Sequence, residues 1–320
     1  MAGALPGSVL ERPRPHGSAI SAAFPQDASA PDLAARLQLM TRLHRHYAAY
    51  LGGPETFEQI PRLNASQQIG RIENEWLRWE DEQVDTARLP ESAAEFRDWF
   101  EAVSAAHVQP EFCRYIENEA RLDEVALFFL AEELVDSRFD DLVALVQLGS
   151  AGASKLVMAE NYWDEMGEGA LERMHTVLFE HSAVYMRDRL AERNIDTSEL
   201  NGTEVFENAC LTLMYALHRG LVPRALGALG LMEHSAPPRF QAMVDACTRL
   251  GVPADVITYQ SIHVHVDEGH GADWLDHVLL PLVQSSPAAL REVCMGVLTR
   301  ERVANAYYRR IWQQMKDLRR

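Results

Sequence analysis

The chain lacks any run approaching the roughly 18 uninterrupted apolar residues that a membrane helix needs, so no spanning segment is expected. It also lacks the basic and apolar regions of a signal peptide at its N-terminus, and a cytoplasmic location is expected on that reading. Cysteine is sparse: Cys113, Cys210, Cys247 and Cys294 are far apart, with no CxxC pair to suggest zinc, an iron–sulfur cluster or a redox dithiol. Reduced, mostly buried thiols are expected instead. Basic residues are outnumbered, 30 against 47 acidic, for a formal charge of −17. Nucleic acids and anionic membranes are therefore poor partners on electrostatic grounds. Alternating β-branched runs long enough to build a sheet are missing as well, which leaves an all-α fold.

Hydrophobic residues make up 47% of the chain, enough for a substantial core. Residues 1–31 are rich in Pro, Ala, Gly and Ser without apolar periodicity and read as a disordered leader. A single helical domain is expected over 32–320. Periodicity and Gly/Pro punctuation predict helices at about 33–52, 66–84, 91–105, 110–148, 155–194, 203–219, 222–234, 237–250, 253–270, 273–285 and 287–318. Ser92 with Glu95 suggests a capping box, and Pro223, Pro237 and Pro253 sit near first turns.

The stretch Ser261-Ile-His-Val-His-Val-Asp-Glu-Gly-His270 places His263, Asp267 and His270 at i, i+4 and i+7, on one helical face. Imidazole nitrogen with carboxylate oxygen suits iron or manganese, whereas structural zinc would want more sulfur. Three polar residues on one face could also simply be solvated. His265 points elsewhere. Glu172 and His175 form a Glu-x-x-His pair, the i, i+3 pattern of di-iron carboxylate bundles. Alone that pattern is weak, since both residue types are common on exposed helices. Two further carboxylates lie on apolar stripes: Glu132, among Val125, Phe128, Val135, Phe139, Leu142 and Val146, and Glu233, following Leu226, Leu229 and Gly230. A carboxylate on a core face needs compensation, which a metal or a buried salt bridge would supply. By phase Glu132, and not Glu133, should face inward.

These residues resemble the haem-oxygenase-like di-iron oxidases, the iron-containing redox enzymes, over about residues 110–285. The resemblance implies a haem-oxygenase-like helical bundle with two irons, cycling between Fe(II) and Fe(III), and dioxygen as co-substrate. It also implies ligands Glu172, His175 and His263 for one iron, Glu233, Asp267 and His270 for the other, and Glu132 bridging or terminal. Members of such a family differ in reaction: N-oxygenation of amines or guanidines, oxidative decarboxylation of fatty acids, or C–C cleavage of amino acids. Fold and metal alone therefore do not name the substrate.

Glu165 lies two turns before Glu172 and could reach the metal as an extra carboxylate, a feature that looks like the N-oxygenating branch; a catalytic role for it and N-oxygenation of an amine or amino-acid-like molecule are the expectation. Gly167 and Gly169 weaken a helix by about 1 kcal/mol each relative to Ala, so an irregularity there is the competing reading, and a pliable ligand helix would follow from it. The partners expected are a small-molecule substrate and an external electron donor, because no Gly-x-Gly-x-x-Gly nucleotide fingerprint is present. A haem or small-cofactor binding protein of the same fold is the alternative. Tyr162, Trp163 and Trp274 flank the proposed ligands, with core packing the simpler role. Phe100, Tyr308 and Trp312 could bury a homodimer face.

Overall fold

The computed structural model describes residues 16–27, 29–59, 67–107, 109–197 and 202–319, with residues 16–18, 57–59 and 265–268 described in backbone only. Among these residues the regular elements are helical and no strand occurs. In chain order they are α1 (His16–Ala23), α2 (Leu33–Tyr50), α3 (Gln67–Gln83), α4 (Phe96–His107), α5 (Pro110–Asn118), α6 (Leu122–Asp136), α7 (Phe139–Val146) and α8 (Gly152–Glu165). Then come α9 (His175–Glu192), α10 (Thr203–Leu217), α11 (Val222–Ser235), α12 (Pro237–Arg249) and α13 (Thr258–Asp273), which runs through a π-helical turn (Trp274–Leu279) into α14 (Leu280–Ser285), and finally α15 (Pro287–Asp317). Among the described residues no helix is long and apolar enough to cross a membrane.

Two of the long helices expected from periodicity are interrupted, and a third starts late. The segment 110–148 is three helices, because Glu124 caps the start of α6, accepting from the Arg121 backbone N–H at 2.7 Å and from the Tyr115 hydroxyl at 2.6 Å. The segment 155–194 breaks at 166–174, where Gly167, Glu168 and Gly169 all take positive φ. A Cβ on Gly167 would lie 2.4 Å from the Arg173 carbonyl carbon, so the chain turns back on itself there only because the residue is glycine. The helix expected at 91–105 starts at Phe96, and the Glu95 carboxylate reaches back to the Glu91 N–H at 3.0 Å without Ser92 as its cap. Part of the expected leader is also structured: α1 falls within it, and Ala23 and Phe24 are completely buried. Residues 1–15 lie outside the described residues.

The core divides into two apolar clusters, one gathering α2, α3, α4, α10, α11 and α15, the other α5, α6, α9, α12, α13 and the end of α15. Close crossings fix α11 between them. A Cβ on Gly227 would sit 2.3 Å from the Val293 carbonyl oxygen, and one on Gly296 would sit 2.2 Å from that of Arg224, so α11 and α15 touch backbone to backbone. Gly271 plays the same part where α13 crosses α11, within 2.7 Å of the His234 Cα. Glu233 is thereby carried against the C-terminal half of α13. Phe100 is fully buried, and Tyr308 and Trp312 pack on Phe112. The chain's own core therefore takes up the aromatic positions that could have served a dimer face.

Candidate metal centre

The break at 166–174 does more than end α8. It returns the chain so that Glu165, at the last turn of α8, and His175, the first residue of α9, face each other across the interior. His263 arrives on α13. Glu165, His175 and His263 are all buried, and one ligand atom from each lies within 4.8 Å of the others. His175 Nδ1 stands 3.1 Å from Glu165 Oε2, yet out of line for a hydrogen bond, and His263 Nε2 stands 3.9 Å from Glu165 Oε1. The two imidazoles are 4.5 Å apart, in a box completed by Phe240, stacked on His263 at 4.6 Å, and Tyr259 at 4.2 Å.

The protonation pattern of this group is decided by its partners. His263 Nδ1 lies 2.7 Å from the Tyr259 carbonyl oxygen, which can only accept, so Nδ1 carries the proton and Nε2 presents a lone pair. Burial, with the neighbouring His175, holds His263 well below the usual imidazole range, so it stays neutral. For His175 burial opposes charge as well, but the Glu165 carboxylate outweighs it and the net shift is upward. A neutral imidazole lone pair and a carboxylate thus share a dry space with a second histidine, an arrangement short of positive charge. A hydrogen bond from the distal imidazole nitrogen to a carbonyl is also how metal-ligating histidines are oriented. This donor set fits iron.

Beside it lies a second polar group. Glu233, on α11, accepts from Asn161 Nδ2 at 2.9 Å, and its Oε2 is 3.8 Å from His270 Nδ1. His270 Nε2 donates to Asp164 at 2.9 Å, while its Nδ1 accepts from Asn161 at 2.9 Å. Burial pushes the Glu233 carboxyl up to about 7, against the pull of His270 and the Asn161 hydrogen bond. Asp136, at the end of α6, is likewise pushed up to about 7 by burial, against Arg239 and with Glu132 and Glu165 adding to the rise. A cavity of about 30 Å³ joins these groups, with Glu165, His263, Asp136 and Glu233 in its wall.

The sequence-predicted residues are therefore divided. His175 and His263 come together with Glu165, and His270 with Glu233. Glu172 does not join them: it is exposed, in a short 3-10 turn before α9, and so does not share a helical face with His175. The position expected of Glu172 is taken by Glu165. Glu132 faces inward, as its phase requires, but its two oxygens are held by the Tyr307 hydroxyl and Arg239, the buried salt-bridge alternative. Glu133 is half-buried and pairs with Arg187. The Asp267 side chain lies outside the described residues. Asp136, Asn161, Asp164 and Tyr259 were not singled out by sequence; Asp136 lies one turn after Glu132 and Asn161 one turn before Glu165, so the i, i+4 spacing carried the signal. Trp274 is buried in the core, whereas Trp163 is about half exposed and rests against Gly169.

A buried Glu/His/His set on an all-helical frame agrees with the comparison to known families. The model for iron-containing redox enzymes matches residues 126–305, more than half of the chain. The chain belongs to that family. The match begins on α6 and ends on α15, so it takes in Glu165, His175, Glu233, His263 and His270. The fold is accordingly all-α and haem-oxygenase-like. No curated protein matches the chain.

Proposed function

We propose that this family member is a dioxygen-dependent oxidase or oxygenase that holds two irons, one at Glu165, His175 and His263 and the other at Glu233 and His270 with Asp267. The observation that carries the reading is the buried lone pair of His263 turned toward Glu165, with its proton committed to the Tyr259 carbonyl. When bound, the irons would supply the electron-transfer and oxygen-binding chemistry that amino-acid side chains lack. The chain's own residues do the rest. Tyr259 and Phe240 fix the His263 ring and keep water from its face. Asn161 and Asp164 hold the His270 ring, with Asp164 accepting its Nε2 proton.

N-oxygenation of an amine is the reaction proposed. Glu165, Asp136 and Glu233 crowd carboxyl groups around one small cavity, and such a wall attracts a basic nitrogen. Asp136, raised to about 7 by burial, can take up the proton the amine must lose to expose its lone pair. An external reductant and a small-molecule substrate complete the reading. Anaerobic Fe(II) loading followed by oxygen, over a panel of amines, amino acids and fatty acids read by mass spectrometry, tests it. Gain of one oxygen on an amine substrate is expected. Loss of carbon dioxide or chain fragmentation would instead assign the cleavage branch, and a Soret band on the purified protein would assign haem.

A further inference from the structure

Buried arginines are ordinarily matched by carboxylates, and Arg239 follows that rule with Glu132. Arg300, on α15, does not. It is 5% exposed, and among the described residues no carboxylate oxygen lies within 4 Å of it. Its Nη1 donates to Asn208, to the side-chain Oδ1 at 2.6 Å and to the backbone carbonyl at 3.4 Å, while Nε is buried without any partner. A buried guanidinium that feels the Glu132 charge only at a distance, and that keeps an empty donor, is a site for an acceptor that the chain does not supply.

The place it faces is a cavity of about 30 Å³ between α6, α10, α11 and α15, whose wall also includes His107, Asn208, Tyr308 and two acidic residues, Asp136 and Glu132, the latter tied up by Arg239. His107 Nδ1 is a second buried atom there without a partner. This cavity and the one at the candidate metal centre share Asp136, Met232, Ala236 and Arg239. They therefore adjoin along Asp136 and Met232, with Arg300 at the far side of one and Glu165 and His263 at the far side of the other. Each is large enough for one small functional group and neither for a bulky ring system.

We infer that Arg300 anchors a carboxylate of the substrate, so that the molecule oxidised is a short acid whose carboxylate end sits against Arg300 and whose other end extends past Asp136 and Met232 toward Glu165 and His263. The inference rests on the proposed function for what happens at that far end, but not for the anchor itself. Guanidinium and carboxylate match as a two-point, charge-assisted pair, and the free Nε is one of the donors such a pair would use. Carboxylate selectivity is then a property of the α15 side of the cavity, independent of iron.

Equilibrium binding to the full chain, with Fe(II) under anaerobic conditions and without it, separates the two claims. The probes are butyrate and its uncharged isostere butyramide. Wild type is expected to prefer butyrate by at least about tenfold in both states, the factor a single hydrogen bond to a charged group contributes. In Arg300→Gln the preference should fall to within about twofold, and in Arg300→Lys, which keeps the charge but not the planar fork, it should survive in part. Equal binding of the two probes by wild type would overturn the anchor, as would a preference unchanged in both variants. If Arg300→Gln fails to fold, the wild-type and Arg300→Lys measurements decide. A butyrate preference confined to the iron-loaded chain would assign the carboxylate to the metal and refute the role of Arg300. A chain that prefers butyrate but binds no iron would retain the anchor and refute the proposed function.

Discussion

Two buried clusters of charged and polar groups in this molecule are built on opposite plans. At one end Glu80, completely buried on α3, accepts from Trp76 Nε1 at 2.8 Å and Arg36 Nη2 at 3.5 Å and pairs with Arg302, while Arg36 also pairs with Glu207 and lies 3.9 Å over the Trp79 ring. Each carboxylate there has a cation within the chain, and although Arg302 Nε is itself without a partner, its guanidinium is paired with Glu80. At the other end Glu165, His175 and His263 converge with no arginine or lysine among them, and Arg300 and His107, beyond Asp136, keep buried nitrogens unpartnered. Burial alone does not distinguish the two regions. What does is whether each guanidinium is in direct contact with a carboxylate of the chain. The closed network ties α2, α3, α10 and α15 together. The open one has the form of a site that expects something from outside.

Acidification should separate the two most strongly. Burial, with Arg300 and Arg239 nearby, lowers His107 to about 3 from its ordinary 6.5. The unfolded chain takes up that proton near pH 6.5 and the folded chain does not, so stability attributable to His107 is present above pH 6.5 and is lost as pH falls toward 3. At about 1.4 kcal/mol per pH unit the loss reaches at most about 5 kcal/mol. Urea denaturation of wild type and His107→Leu between pH 7 and 4 should show a steeper decline in wild type; parallel profiles would mean that His107 is protonated in the folded state. The next largest effect belongs to the closed network. Glu80→Ala strands Arg36 and Arg302 and is expected to cost about 3–5 kcal/mol in the same assay, as breaking a buried pair does. A cost below about 1 kcal/mol, the range of exposed pairs, would show that the network is not closed as described.

How much of this was readable from residues alone differs between fold and site. Helices such as α2, α3 and α15 follow from apolar periodicity with their ends within a few residues, because a long amphipathic stripe is a local property. Phase also placed Glu132 inward and Glu133 on the flank. Periodicity brought Glu165 to the metal only as an extra carboxylate, since a helix drawn straight through 155–194 puts Glu172 and His175 on one face with Glu165 two turns away. Three successive positive-φ residues at 167–169 undo that geometry, and only the two glycines hinted at it. Nor could sequence tell that Glu132 is matched by Arg239, because their meeting depends on how α6 packs against α12. The apposition of Arg300 with the metal side of the interior is tertiary in the same sense.

The smallest effect on stability, and the most direct test of the open cluster, comes from changing its carboxylate. Glu165→Gln keeps the shape, and the charge it removes is offset because His175 then has no carboxylate drawing it toward its charged form, so the iron-free protein should match wild type within about 1 kcal/mol. Exposed Glu172→Ala should change neither stability nor metal content. The deciding measurement is anaerobic equilibrium dialysis against Fe(II) with metal analysis of wild type, Glu165→Gln, His263→Gln and Glu172→Ala, all checked for folding. Wild type and Glu172→Ala are expected to bind iron alike, while Glu165→Gln and His263→Gln lose affinity by at least about tenfold, the lower end of what loss of even a ligand's supporting hydrogen bond costs. Undiminished iron binding in folded Glu165→Gln and His263→Gln, or its loss in Glu172→Ala alone, would contradict the assignment of the metal to Glu165, His175 and His263.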